Sequence, residues 1–170
     1  MGQWDVELRV TDGTTAALGS GLGGQFWATA TLTANTDGII SSYQVPAGTV
    51  ALPGKTLVVT GVKISTFIQT ALTGGGSVLQ WSLAFGHTSV ALNTTESATA
   101  KAPRRVALGI QPFASGAVFG VVGAEIWVDF SGGPIVVNPG EFIQTVWKQI
   151  GTAPSAGVYA HVIAIVGYFE

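Results

Sequence analysis

The chain has no cysteine. That excludes a disulfide framework and any thiolate metal site, and it leaves the redox compartment open. Charge is scarce as well: Lys, Arg, Asp and Glu together make up 9% of 170 residues. Soluble domains carry about 25%. Much of the surface is therefore expected to be covered by other subunits rather than by water. A net charge of −2, with no long basic run, argues against a phosphate-tracking nucleic-acid surface. The only histidines are His87 and His161, and no third or fourth ligand stands at metal-site spacing from either. Long uncharged stretches such as 14–36 and 106–124 are broken by Gly, Ser, Thr, Gln or Pro and lack the uniform apolar core of a spanning helix. A transmembrane barrel, whose signal per strand is weaker, is the competing reading. The opening Gly2-Gln3-Trp4-Asp5-Val6-Glu7 has neither the basic nor the apolar region of a secretory signal. No segment keeps three-to-four spacing with caps, so helix is expected to be minor.

What the chain does have is strands and corners. At 47% hydrophobic residues it can bury a sizeable core in one domain. In Pro53-Gly54 the proline fixes φ near −65° and the glycine tolerates positive φ, which predicts a type II turn. A β-branched run follows from Leu57 to about Ile68, as a long strand requires. The pattern returns as Asn138-Pro139-Gly140-Glu141 before Phe142-Ile143-Gln144-Thr145-Val146-Trp147-Lys148. These read as corresponding corners of two halves of one sandwich. Between them, Leu79, Trp81, Leu83 and Phe85 alternate with Gln80, Ser82 and Ala84, so one face is buried and Trp81 belongs to the core.

Further strands are expected around Val6–Val10, over 26–32, over 39–45, over 103–110 as an edge, and over 125–130 with Ile126, Val128 and Phe130 inward. A long apolar strand over 158–169 is expected to be central and covered on both faces. Residues 90–102 read as a loop with a single helical turn. Residues 14–24, almost wholly Gly, Ala, Ser, Thr and Leu, read either as an arm across a neighbouring subunit or as a mobile loop. In the first case Leu18 and Leu22 would carry the contact. The expected fold is all-β: a single-domain jelly-roll-like β-sandwich, with residues 1–40 as an N-terminal strand and arm and residues 41–170 as the sandwich.

Chemistry is thinly represented. Glu125 and Asp129 share a strand face but lie roughly 13 Å apart by strand rise, beyond the ~5–9.5 Å of paired glycosidase carboxylates. Neither histidine sits in a nucleophile motif. Gly19-Ser20-Gly21-Leu22-Gly23-Gly24 resembles a dinucleotide fingerprint only superficially, because it follows no buried strand and opens no helix. Trp127 shares its face with Glu125 and Asp129, which makes it a candidate sugar-stacking platform or interface anchor. Lys101, Arg104 and Arg105 form the one concentration of charge. They read as a solvated loop or as a docking segment reaching carboxylates on a partner. No catalytic residue, cofactor or metal is expected.

The paired Pro-Gly corners, the strand Leu79-Gln80-Trp81-Ser82-Leu83-Ala84-Phe85-Gly86, the 101–105 segment and the ending Gly167-Tyr168-Phe169-Glu170 resemble jelly-roll structural proteins of tailed bacteriophages, most of all head decoration (cement) proteins. The resemblance covers residues 40–170. It implies a non-enzymatic homotrimer on the capsid surface, made in the host cytoplasm and clamping the major capsid protein, with no catalytic residue to carry over and no nucleic-acid or membrane partner. A tail or baseplate jelly roll, or a carbohydrate-binding adsorption protein, is the alternative.

Overall fold

The computed structural model describes residues 4–6 and 26–30 as strand backbone and residues 34–89, 92 and 94–170 in full. The expected strand beyond Val6, the 14–24 segment and with it Leu18 and Leu22 lie outside the described residues.

Ten strands follow one another: β1 (Trp4–Val6), β2 (Phe26–Ala30), β3 (Asp37–Gln44), β4 (Leu57–Thr73), β5 (Ser77–His87), β6 (Arg104–Phe113), β7 (Ile126–Asp129), β8 (Ile135–Val137), β9 (Phe142–Ile150) and β10 (Ala156–Phe169). No helix occurs among the described residues; residues 94–102 hold bends without the expected helical turn. The strands make two antiparallel sheets, consistent with a β-sandwich. In the first sheet β4 and β10 pair along nearly their whole length. The far edge of β10 takes β1 and β2. The far edge of β4 takes β8 at 57–59, β7 at 61–64, and then the 117–123 connection, which exchanges main-chain hydrogen bonds with Thr66, Ile68 and Leu72. The second sheet runs β3-β9-β5-β6. The strands β1, β2 and the start of β3 thus belong to the sheets, although they fall within residues 1–40.

Alternation places Leu57, Val59, Val62, Ile64 and Ile68 of β4 and Tyr159, Ile163 and Ile165 of β10 on the inner face. Leu79, Trp81 and Leu83 of β5 and Ile143 and Trp147 of β9 oppose them. Trp81 is fully buried, as its pattern requires, and β6 is an edge strand as expected. The central place of β10 was legible too, but its outer side is covered only in part: Val162 is 41% exposed. The strand reads as apolar throughout because its outer positions are small or aliphatic, not because both sides are covered.

The two Pro-Gly corners differ. Gly140 has φ 83° and Glu141 N–H donates to Asn138 O at 3.0 Å, the geometry of a type II turn. Gly54 is not at positive φ, against the expectation. It is required for space instead, because a Cβ there would lie 2.5 Å from Ala47 O and 2.7 Å from Pro139 Cβ. The corners therefore touch each other at one end of the sandwich.

Candidate functional site

That end of the sandwich holds a buried polar cluster. Glu141 directly follows the second corner and is buried at the start of β9. Its carboxylate accepts from Lys101 Nζ at 2.9 Å, from Asn138 N–H at 3.0 Å and from Asn138 Nδ2 at 3.1 Å. Burial pushes the Glu141 carboxyl up, but the Lys101 ammonium and the Asn138 donors outweigh it and hold the group below its ordinary range. Its main-chain carbonyl also accepts from Val45 N–H at 2.9 Å, so the residue ties β9 to the connection after β3.

Beside it, Gln144 Nε2 donates to Ser42 Oγ at 3.0 Å, which turns Gln144 Oε1 toward His87 Nε2 at 2.7 Å. The other ring nitrogen of His87, Nδ1, is buried without a hydrogen-bond partner. Burial holds this imidazole below its ordinary range, against the Gln144 contact, the Phe85 main chain and the Glu141 charge, which favour protonation. His161 is a core residue: Thr66 Oγ1 lies 3.1 Å from Nδ1, and Trp81, Trp147 and Tyr159 surround the ring. Burial pushes it down to about 3. Each histidine is buried and has a hydrogen-bond partner. Among the described residues no three His, Asp or Glu side chains gather as a metal ion requires.

The cationic segment points three ways. Lys101 is held by Glu141. Arg104 and Arg105 are neighbours on β6, so alternation sends them to opposite faces. The Arg104 guanidinium lies 5.7 Å from the Phe85 ring centroid. Arg105 reaches Asp37 at 2.9 Å, and Lys148 approaches the same carboxylate at 3.4 Å. Two of the three cations are thus committed to carboxylates of their own chain.

Trp127 stands apart from them, on the outer face of the six-stranded sheet and 56% exposed. It pairs across the ladder with Lys63, and its ring lies over Gly61, where a Cβ would come within 3.2 Å of Cη2. Glu125, ion-paired with Lys63 at 3.0 Å and accepting from Ser65 Oγ at 3.2 Å, and Asp129, accepting from Ser131 N–H at 2.7 Å, flank it. Those contacts hold both carboxyls below their ordinary range, Glu125 through Lys63 and Asp129 through Ser131. Each carboxylate thus has a partner within its own chain.

The sequence did not single out the apolar residues that the fold leaves outside. Val50 is fully exposed and Leu52 75% exposed on the turn between the first two prolines of the corner region, and Val118, Phe119 and Val122 protrude from the connection along β4. A signal existed: in Thr49-Val50-Ala51-Leu52, bracketed by Gly48 and Pro53, apolar residues occupy a turn where polar ones are usual. A scan against protein-family models finds no match to the chain, and no curated protein matches it.

Proposed function

We propose that the chain is a non-enzymatic virion subunit, a jelly-roll decoration protein that binds the major capsid protein as a homotrimer and stabilises the head. One observation carries the reading: a chain with 9% charged residues also leaves large apolar side chains outside, among them Val50, Leu52, Phe119, Val122 and Trp127. Scattered exposed apolar groups are ordinary, but so many on so uncharged a surface call for partners. The strand order supports the jelly-roll part of the reading. With β1 and β2 in one lane and β7 and β8 in another, each sheet has four lanes, and the first strands of the chain lie beside the last. Stabilisation would come from many weak apolar contacts multiplied over a lattice, with Arg104 as the cation still open to a partner's carboxylate.

The test is co-sedimentation of the purified chain with expanded phage heads lacking it, followed by heating. Retention on heads and a raised disruption temperature are the expected results; free passage of the chain with unchanged heads overturns the reading.

A second reading has its own observation. Trp127, spread over Gly61 and flanked by Lys63, Glu125 and Asp129, is the arrangement of a sugar-stacking platform. A glycan array that binds the chain but not a Trp127→Ala variant would favour an adsorption protein instead.

A further inference from the structure

The connection from β5 to β6 is fastened at both ends to the buried cluster beside Glu141. It leaves β5 at His87, and Thr88 Oγ1 donates to Thr99 O, which draws its two limbs together. Ala100 N–H donates to Ser97 Oγ at 2.9 Å and shapes the returning limb. Lys101 ends that limb, with Nζ on the Glu141 carboxylate at 2.9 Å. The cross-strand register sets His87 opposite Phe142 and Ser42 opposite Gln144, so His87, Ser42 and Gln144 share one side of the four-stranded sheet. That side faces away from the sandwich core, yet all three side chains are buried.

His87 is the member whose protonation the cluster does not accommodate. One ring nitrogen meets Gln144 Oε1 at 2.7 Å, whereas Nδ1 is buried without a hydrogen-bond partner. An imidazolium donates from both nitrogens. A proton added in place therefore leaves a charged, unpaired N–H at Nδ1, whichever way the Gln144 amide is turned. The groups facing the ring pull in both directions. Burial opposes the charged form most, and Arg105 of β6 adds to that, while Gln144, the Phe85 main chain and Glu141 favour it. Burial prevails and holds the ring below its ordinary range.

We propose that this cluster is an acid-released latch: a proton on His87 frees the connection that ends at Lys101 from the corner, while the two sheets stay folded. Once freed, the ring is hydrated and takes its proton at the ordinary 6.5. The open chain thus binds the proton more tightly than the latched one. Opening gains by up to about tenfold per pH unit as pH falls below 6.5, until the latched ring itself titrates. Glu141 acts later, because Lys101 and Asn138 hold its carboxyl below the ordinary 4.5. Its protonation weakens the hold on Lys101 in stronger acid. The device belongs to the chain itself and stands whether or not the virion reading does.

Hydrogen exchange of the full chain tests it, read by mass spectrometry on peptides and corrected for the intrinsic effect of pH. In the wild type, exchange over 86–101 and 138–144 is expected to rise about fivefold or more between about pH 7 and pH 5. The β4–β10 ladder is expected to stay protected over the same range. His87→Gln should abolish the rise, and His161→Gln, which removes the core histidine instead, should keep it. If His87→Gln does not fold, the wild-type comparison of the two regions decides alone. A wild type with no rise, a rise shared equally by the β4–β10 ladder, or a rise that survives in His87→Gln overturns the proposal.

Discussion

Arg105 and Asp37 stand on the two edge strands of the four-stranded sheet, with β9 and β5 between them, and their side chains meet at 2.9 Å. Three strand spacings put such edges roughly 14 Å apart on a flat sheet. The Arg105 and Asp37 side chains cover most of that distance, and the coiling of the twisted sheet covers the rest. Register shifts in each of its three strand pairings, at Ile39/Ser41, Trp81/Ser82 and Phe85/His87, supply the bends. The same coiling explains why Ala84, Gln144 and Val146, on the side away from the core, are nonetheless buried.

Removing that bridge should loosen the sheet modestly. All three members are partly exposed, so Arg105→Ala is expected to cost about 0.5–1 kcal/mol at low salt and less at 1 M salt. Urea unfolding at two ionic strengths measures it. An Arg105→Ala/Asp37→Ala cycle isolates the pair, and a coupling near zero would mean that the bends hold without it.

Glu141 is the costlier carboxylate to lose. Glu141→Ala leaves Lys101 and the Asn138 donors without their acceptor at a buried corner, and about 1–3 kcal/mol is expected. Because its folded pKa lies below the ordinary 4.5, this stabilisation is present above pH 4.5 and fades as pH falls through the folded value. Wild type and variant should converge in acid; a gap that persists at pH 2 contradicts the assignment.

The histidines set an earlier acid window. His161 stays neutral in the fold down to about pH 3 but protonates at about 6.5 in the unfolded chain. The unfolded state therefore binds the extra proton, and stability falls from pH 6.5 downward by up to about 5 kcal/mol near pH 3. His87, also lowered by burial, adds to the same slope. A His161→Gln variant should show a flatter dependence of the urea midpoint between pH 6.5 and 4.5, whatever its stability at neutral pH. An unchanged slope would place the proton uptake elsewhere.

The two corners predict different responses to one substitution. Gly140→Ala forces a side chain into the left-handed region, at about 1–2 kcal/mol. Gly54→Ala keeps an ordinary φ but drives a methyl into the Ala47 carbonyl and Pro139, so it should cost more. Differential scanning calorimetry ranks them, and the reverse order would refute the packing account of Gly54.

Period-two patterns made β5 and β7 legible in the sequence, because each buries one face and the pattern records it, whereas β10 was legible as a long apolar run. The Pro139-Gly140 turn was legible because its chemistry is local. Gly54 was misread because its constraint is tertiary: the clash it avoids is with Pro139, a residue from the other corner. Trp127 was placed correctly on an open face, since Ile126 and Val128 fix its side of the strand. The coupling of Lys101 to Glu141 and of Arg105 to Asp37 left no local trace. Each joins residues that only the sheet order and its coiling bring together.

The central position of β10 also sets when the fold can form. Among the described residues β1 and β2 pair with β10 alone, and β4 finds its long partner there as well. Of the described strands β10 is the last to be synthesised, so until it leaves the ribosome the six-stranded sheet has β4 bordered only by short segments. Folding must then close loops of about a hundred residues in one step, which places it in the slow, milliseconds-to-seconds range of non-local β topologies. During that wait the apolar inner face of β4 has no cover. The nascent chain is therefore most open to aggregation just before β10 is made.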